Sequence, residues 1–187
     1  SKKITIAIDA MGGENAPSKN INGLKIFLDK NKSKDKFIIK LYGDENAIKS
    51  ELKKNNIILN KIDIIHTDGV VSDEETPLTA IKNSKNTSMW NAVQSQVNDK
   101  SDITLSAGNT GVLLVISRMI LKTMKEVSKP ALAGLWPSKK GMSVVMDLGA
   151  NIECDEKNLI DFSELGSALY KAIFPDKVPR VALLNIG

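Results

Sequence analysis

A short polar turn, Ser-Ala-Gly-Asn-Thr-Gly at residues 106–111, has the composition of an anion-binding loop. The β-prone residues 102–105 precede it, and the apolar run 112–121 that follows has the composition of a helix. Free backbone N–H groups and the positive end of that helix would meet at the turn. The turn is therefore a candidate site for an anion such as phosphate.

The side chains of this turn suit the same chemistry. Gly108 and Gly111 would let the backbone approach a ligand closely. Ser106, Asn109 and Thr110 would add hydroxyl and amide groups without bulk. The same residue types also suit any tight turn with a helix cap, so the sequence leaves both interpretations open.

Three more polar loops follow predicted strands, at residues 9–17, 67–77 and 147–151. The residue patterns predict strands at 4–8, 37–42, 62–65, 102–105, 131–136, 142–146 and 180–184. Helices are predicted from Pro17, from residues 43–45 to about 54, at 78–97 with a break at the polar residues 83–88, at 112–121 and at 156–174.

This alternation predicts an α/β sandwich with a mostly parallel sheet and one antiparallel excursion, a hairpin with a five-residue loop at 137–141. Ligands of such sheets bind beyond the carboxyl ends of the strands. We therefore expect the four polar loops to line one cleft. The polar residues 83–88 are expected to lie outside the core.

Composition narrows the class of protein. The chain of 187 residues is long enough to bury a core in one domain, and no apolar run reaches the roughly 18 residues of a membrane span. The single cysteine, Cys154, excludes an internal disulfide and a thiolate zinc site, and we interpret it as a small packed residue in a cytosolic protein. The net charge of +4 comes from scattered lysines with few aromatic residues, which is not typical of nucleic-acid binding.

Several enzyme classes lack their motifs. Residues 9–13 follow the first strand, where a dinucleotide-binding fingerprint would stand, but they lack its G-x-G-x-x-G spacing, and the chain has no P-loop. His66 is the only histidine and no Gly-x-Ser-x-Gly elbow is present, so a catalytic triad is unsupported. We interpret His66 as structural and expect neither a cofactor nor a metal.

The remaining polar residues suit the handling of an oxyanion. Hydrogen-bond donors would hold phosphate and stabilise charge on an attacked carbonyl, without a covalent enzyme intermediate. Any one of these residues could equally cap a loop or lie on the solvated surface. The set comprises Asp9, Asn15, Asn109, Asp147 and Asn151, the cations Lys82 and Lys85, and the hydroxyls of Thr87 and Ser88.

Five blocks of residues, at 6–17, 84–89, 106–111, 147–151 and 179–187, resemble in order the signature blocks of the bacterial phosphate acyltransferases that act on acyl-acyl carrier protein. The resemblance implies a three-layer α/β/α fold akin to isocitrate and isopropylmalate dehydrogenases (Rossmann-like) and to phosphotransacetylase. It implies a reaction in which inorganic phosphate takes a fatty acyl group from the carrier thioester, giving acyl phosphate for phospholipid synthesis. That family continues past the last block, so residues 1–187 are interpreted as a single α/β domain, its N-terminal portion.

We expect residues 106–111 and 147–151 to hold phosphate, Lys85 to neutralise it, and Asn109 or a backbone N–H to polarise the thioester carbonyl. Two departures from the family pattern are a thinner basic run at residues 82–85 and Glu14 in place of the commoner aspartate. The catalytic candidates are Lys85, Asn109 and Asp9. The binding candidates are Gly12, Gly13, Asn15, Ser88, Ser106, Gly108, Thr110, Gly111, Asp147, Gly149 and Asn151.

The expected partners are acyl-acyl carrier protein, inorganic phosphate and a second copy of the chain in a homodimer. The expected location is the cytoplasm, with peripheral association at the membrane and no nucleic acid bound. Two alternatives remain at this point: an oxidoreductase of the related dehydrogenase fold, and a phosphate-binding module without chemistry.

Overall fold

The computed structural model describes residues 3–31, 34–58, 62–98 and 100–185. Ile186 and Gly187, which end the last block of the resemblance, lie outside the described residues. The chain forms two compact units, residues 1–122 and residues 123–187. The expectation of a single domain over the whole chain stays a prediction.

The first unit contains four strands and five α-helices in its described part. The strands are β1 (Ile4–Asp9), β2 (Phe37–Gly43), β3 (Ile62–His66) and β4 (Ile103–Leu105). The helices are α1 (Ser18–Lys30), α2 (Glu45–Lys54), α3 (Pro77–Asn83), α4 (Ser88–Val97) and α5 (Thr110–Leu121). The strands are parallel and lie in the order β3-β2-β1-β4, so their carboxyl ends share one edge of the sheet.

Both faces of this sheet carry helices. Side chains alternate between the two faces along each strand, which lets apolar residues fill a layer on either side. One face packs against α1 and α2 through a buried cluster that includes Ile6, Ile39, Leu41, Ile21, Leu24, Ile48 and Leu52. On the other face Ala7 and Tyr42 pack with Ala92 of α4. The predicted three-layer α/β/α architecture is confirmed.

Helix starts follow local signals that the sequence carries. Pro17 stands at the N-terminal cap of α1, as predicted. Asp44, Thr76, Thr87 and Asn109 each accept a backbone N–H from the first turn of the helix that follows. Such caps satisfy donors that have no partner within the helix. None of the helices in the described ranges is long and apolar enough to cross a membrane.

The second unit contains a β-hairpin and a long helix. β5 (Ala133–Ser138) pairs antiparallel with β6 (Gly141–Met146), and α6 (Glu156–Ile173) follows. The hairpin is confirmed, but its predicted five-residue loop is wrong. Pro137 and Ser138 continue the pairing opposite Met142 and Gly141, so only two residues form the turn.

The strand predicted at 180–184 is also wrong. Residues 180–185 carry no strand assignment, and Leu183 and Leu184 are exposed. A β-strand depends on hydrogen bonds to a neighbouring strand, and the described residues pair no strand with this segment. The apolar residues at 180–184 thus indicate β propensity, but a strand forms only where a neighbouring strand is available for pairing.

The polar break before α4 forms as predicted, and Asn83, Lys85 and Asn86 are exposed as expected, but Ser84, Thr87 and Ser88 are buried. A 3₁₀ turn at Ser84–Asn86 separates α3 from α4. Ser84 and Ser88 are each only 1% exposed. These serines are covered where the loop after β3 pairs with the segment: Ser88 N–H donates to the Gly69 carbonyl at 3.0 Å.

Candidate functional site

The loops after β1, β3 and β4 meet at the carboxyl edge of the sheet in the first unit. Gly12 in the first loop lies directly against Gly108 in the third. The Asn109 side chain joins the third loop to the second by donating to the carbonyls of Asp73 and Glu75 at 3.1 and 3.0 Å. Three of the four loops expected in one cleft are therefore neighbours.

A buried carboxylate links the first and third loops. Asp9, at the end of β1, is 1% exposed. The Ser106 hydroxyl donates to Asp9 Oδ2 at 2.7 Å, and the Met11 N–H donates to Asp9 Oδ1 at 3.3 Å. Gly108 N–H in turn donates to Ser106 Oγ at 3.1 Å. Asp9 and Ser106 thus hold the start of the 106–111 loop against the loop after β1.

Glycines allow these two loops to pack backbone against backbone. A Cβ on Gly12 would lie 2.9 Å from the Gly108 nitrogen, and one on Gly108 would lie 2.9 Å from Met89 Cε. Gly13 has φ of +88° and lies against the Ala107 carbonyl. From the sequence, the glycine at 108 was expected to let a ligand approach the backbone. Packing between the two loops already requires glycine at this position.

Asn109 caps α5 and anchors the acidic loop. Its Oδ1 accepts the Val112 N–H at 3.1 Å, and its Nδ2 makes the two bonds to the loop after β3 described above. Both amide hydrogens are therefore committed. To polarise the thioester carbonyl, the Asn109 side chain would have to give up one of these two hydrogen bonds. A free backbone N–H, the other candidate, would give up none.

Thr110 and Gly111 form the first turn of α5. Thr110 is exposed. Their backbone N–H groups have no hydrogen-bond partner among the described residues, as expected where a helix begins. A Cβ on Gly111 would lie 3.4 Å from Pro77 Cγ, so this turn also touches the start of α3. Free donors, helix end and small side chains coincide here.

Lys85 lies in the 3₁₀ turn before α4, and Ser88 is the first residue of α4. Lys85 is exposed, and the described part of the chain places no carboxylate within ion-pair distance of it. Ser88 Oγ is buried and has no hydrogen-bond partner in the described residues, and the same holds for Ser84 Oγ and Thr67 Oγ1. Met89, the next residue of α4, contacts the third loop at Gly108. α4 thus begins beside the loop cluster.

Asn20 is a residue of this site that the sequence interpretation missed. Its Nδ2 donates to the carbonyls of Ala10 and Gly12 at 2.9 and 3.0 Å, which ties α1 to the loop after β1. The sequence does carry a signal for this contact, because Asn20 lies in the first turn of the helix that follows the glycine-containing loop. In the same loop Asn15 is exposed and has φ of +58°, a left-handed conformation that asparagine tolerates.

His66 has the structural role predicted for it. Its Nδ1 accepts the Glu45 N–H at 3.2 Å, and its Nε2 lies 3.1 Å from Asp68 Oδ1. The ring thus joins the end of β3 to the start of α2. Both ring nitrogens are engaged, and no triad partner is needed to explain the residue.

The fourth predicted loop belongs to the second unit. Asn151 Nδ2 donates to Asp147 Oδ1 at 3.2 Å and to the Pro130 carbonyl at 2.9 Å. Asp147 has φ of +56°, and Gly149 has φ of +83° with open space around its Cβ position. The loop is internally ordered. Its place in a common cleft with the other three stays a prediction.

Cys154 contacts this loop and is not the packed residue expected. Its thiol is exposed and lies 3.8 Å from Asp147 Oδ2. Partial desolvation first, and then the negative charge of Asp147, raise the pKa of the Cys154 thiol. The thiol therefore stays protonated at neutral pH, which does not suit a nucleophile.

Comparison with known proteins identifies the relatives of this chain. Residues 4–187 match a family model described as fatty acid synthesis protein. The chain is 51% identical over 187 residues to the phosphate acyltransferase of Pelagibacter ubique (strain HTCC1062), covering 100% of this chain and 55% of that protein. It is 38% identical to the phosphate acyltransferase of Bradyrhizobium diazoefficiens, covering 99% of this chain and 52% of that protein. The chain thus spans about half the length of these relatives.

Among solved structures, the chain is similar to EutD phosphotransacetylase from Staphylococcus aureus. The TM-score is 0.61 at 17% sequence identity, and the match covers 92% of this chain and 54% of that one. At this identity the likeness concerns the fold alone. It agrees with the α/β sandwich predicted from the sequence.

Proposed function

Because the chain belongs to the fatty acid synthesis protein family, we propose that it is part of a phosphate acyltransferase that uses acyl-acyl carrier protein as donor. The observation that carries the proposal is the 51% identity to a phosphate acyltransferase over every residue of the chain. In the proposed reaction a phosphate oxygen attacks the thioester carbonyl. The carbon–oxygen bond forms, the carbon–sulfur bond breaks, and the carrier leaves as a thiol, giving acyl phosphate. The relatives favour this activity over a dehydrogenase or a module without chemistry.

The start of α5 is the proposed place for phosphate. Support comes from the unpartnered backbone N–H groups of Thr110 and Gly111, the positive end of α5 and the exposed Thr110 hydroxyl. These groups are held in place before any ligand arrives, because Asn109 and Ser106 are both anchored. Such prior ordering is what an oxyanion-stabilising site requires.

Lys85 is the proposed counter-charge, and Asp9 is a positioning residue in this scheme. Lys85 is supported by its lack of a carboxylate partner in the described residues and by its place beside the loop cluster. Support for a positioning role of Asp9 comes from its burial and from the hydrogen bond that it accepts from Ser106. Asp147, Gly149 and Asn151 remain proposed phosphate ligands in the second unit.

The proposed partners follow from the reaction. A carrier protein presents the acyl thioester, and the net charge of +4 favours its approach because such carriers are acidic. We propose a homodimer that lies in the cytoplasm and associates peripherally with the membrane, where its product would be consumed. These assignments rest on the family.

The test is a direct assay for acyl phosphate. The protein would be incubated with acyl-acyl carrier protein and inorganic phosphate, both as residues 1–187 and extended to the length of the relatives. Hydroxylamine would trap acyl phosphate, and free carrier thiol would be measured in parallel. Thiol release that depends on phosphate and matches hydroxamate formation is expected. Thiol release without phosphate dependence, or oxidation of a reduced nicotinamide instead, would reject the proposal.

A further inference from the structure

A groove runs along α1 beside the sheet and ends at the candidate site. Its volume is about 320 Å³. One end is lined by Asp9, Ser106 and Ala107, which belong to the first and third loops of the site. The groove therefore reaches the loop cluster at Ser106 and Ala107.

The body of the groove is apolar. Ile8 and Leu105 are partners in the pairing of β1 with β4, so they lie side by side on one face of the sheet. Leu105 is 48% exposed and belongs to β4, the edge strand of the described sheet. Phe27 and Leu24 of α1 form the opposite wall. A ligand with a long apolar part could remove this surface from water.

Gly23 leaves the α1 wall open. It lines the groove, and a Cβ at this position would meet no atom within 4 Å. Glycine in the middle of a helix lowers helix stability relative to alanine, and no close contact explains it here. A side chain added at this position would therefore begin in open space on the wall of the groove.

We propose that this groove holds the fatty acyl chain of the donor, an inference that rests on the function proposed above. The ligand class follows from the shape of the site: an apolar channel that ends at hydrogen-bonding loops fits a molecule with a hydrocarbon body and a polar reactive end. A volume of about 320 Å³ falls within the range of small-molecule sites, so the groove can take part of a hydrocarbon chain. The acyl carbonyl would then lie at the Ser106 end.

The experiment fills the groove at Gly23. Gly23→Leu would place an apolar side chain in the channel, and Gly23→Ala is the matched control because it changes the helix similarly but adds only a methyl group. The probe is cis-parinaric acid, a fatty acid whose fluorescence rises in apolar surroundings, with a saturated fatty acid as competitor. Binding would be titrated in residues 1–187 and in the protein extended to the length of the relatives, alongside thermal unfolding.

We expect Gly23→Leu to weaken probe binding about tenfold or more, the factor for about two methylenes left unburied, while Gly23→Ala binds as the parent does. Neither variant should unfold at a lower temperature than the parent. Equal binding by all three proteins, or no binding by the parent, would overturn the inference. Binding by residues 1–187 that disappears in the extended protein would also overturn it, because another segment would then cover the groove.

Failure of the proposed function gives a different result. If acyl phosphate is never formed but the probe binds and Gly23→Leu abolishes binding, the groove is a fatty-acid site and only the reaction is rejected. If acyl phosphate is formed while Gly23→Leu changes neither probe binding nor activity, only the groove is rejected.

Discussion

At the scale of single residues, the candidate site depends on a few polar contacts that join distant parts of the chain. Asp9 is buried, and its carboxylate relies on the Ser106 hydroxyl and the Met11 N–H. Asn109 uses its whole side chain as cap and anchor. Asp9 and Asn109, which the sequence predicts as catalytic, therefore hold the loops in place, and the loops carry the groups proposed to meet a ligand.

The Asp9–Ser106 contact makes a testable contribution to stability. Ser106→Ala leaves a buried carboxylate oxygen without its hydroxyl donor, so we expect a loss of about 1–3 kcal/mol in the free energy of unfolding. A cycle with Asp9→Asn should give a coupling energy of about 0.5–3 kcal/mol by urea denaturation. Ser163→Ala is the control, since that exposed hydroxyl bonds only within α6 and its loss should change stability by less than about 0.5 kcal/mol. Equal effects of Ser106→Ala and Ser163→Ala would contradict the role of the contact.

Thr110 separates ligand binding from folding. Its side chain is exposed, so Thr110→Ala should leave thermal unfolding unchanged. If the hydroxyl donates to bound phosphate, the phosphate KM should rise by a factor that corresponds to about 1–3 kcal/mol, and Thr110→Ser should restore it. The measurement is acyl phosphate formation against phosphate concentration in the protein extended to the length of its relatives. An unchanged phosphate KM in Thr110→Ala would return the 106–111 loop to the interpretation of an ordinary turn.

At the scale of elements, parallel strand order determines which loops become neighbours. β1 lies between β2 and β4, so the loops that follow β1 and β4 meet although 97 residues separate Asp9 from Ser106. α4 and α5 pack together through Val93, Val112 and Ile116, which brings both helix starts to the same edge. The elements act as a rigid support, and the loops carry the polar groups.

Substitution by alanine should have opposite effects on stability at Gly12 and at Gly23. Gly12→Ala would bring a Cβ to 2.9 Å from the Gly108 nitrogen, so the loops must separate, at a cost of about 1–3 kcal/mol. Gly23→Ala meets no atom within 4 Å and should stabilise α1 by about 0.5–1 kcal/mol. Urea denaturation of both variants checks the pair. The packing account of the loops would be wrong if Gly12→Ala were as stable as the parent.

At the scale of the whole molecule, the net charge affects the rate at which charged partners associate more than it affects the fold. The net charge is +4, and ion pairs that join two exposed side chains, such as Lys25 with Asp29, each contribute little. The long-range attraction of an acidic partner depends instead on the summed field of the lysines.

If acyl carrier protein is the donor, as proposed, its docking should therefore depend on salt. We expect the association rate constant to fall as ionic strength increases beyond about 0.15 M, where the Debye length is about 8 Å. Stopped-flow measurement of carrier binding at several salt concentrations provides the rate, and an uncharged acyl thioester of similar chain length serves as control. The same rate at every ionic strength would argue against electrostatic docking.

The order of strands and helices was determined by the sequence itself. Each helix start depends on groups within a few residues, as where Thr87 accepts the Trp90 N–H, and each described strand of the first unit follows from its own apolar pattern. The polar loops and their location at strand ends were predictable for the same reason. Local hydrogen bonds and local periodicity need no information from the rest of the chain.

Only the tertiary structure decided which of those groups meet. The bond between Ser106 and Asp9, the burial of Ser84 and Ser88 and the groove beside Gly23 all join segments that are distant in sequence. The absent strand at 180–184 has the same origin, because a strand forms only where another strand accepts its hydrogen bonds. Long-range packing selects among local options that the sequence leaves equally open.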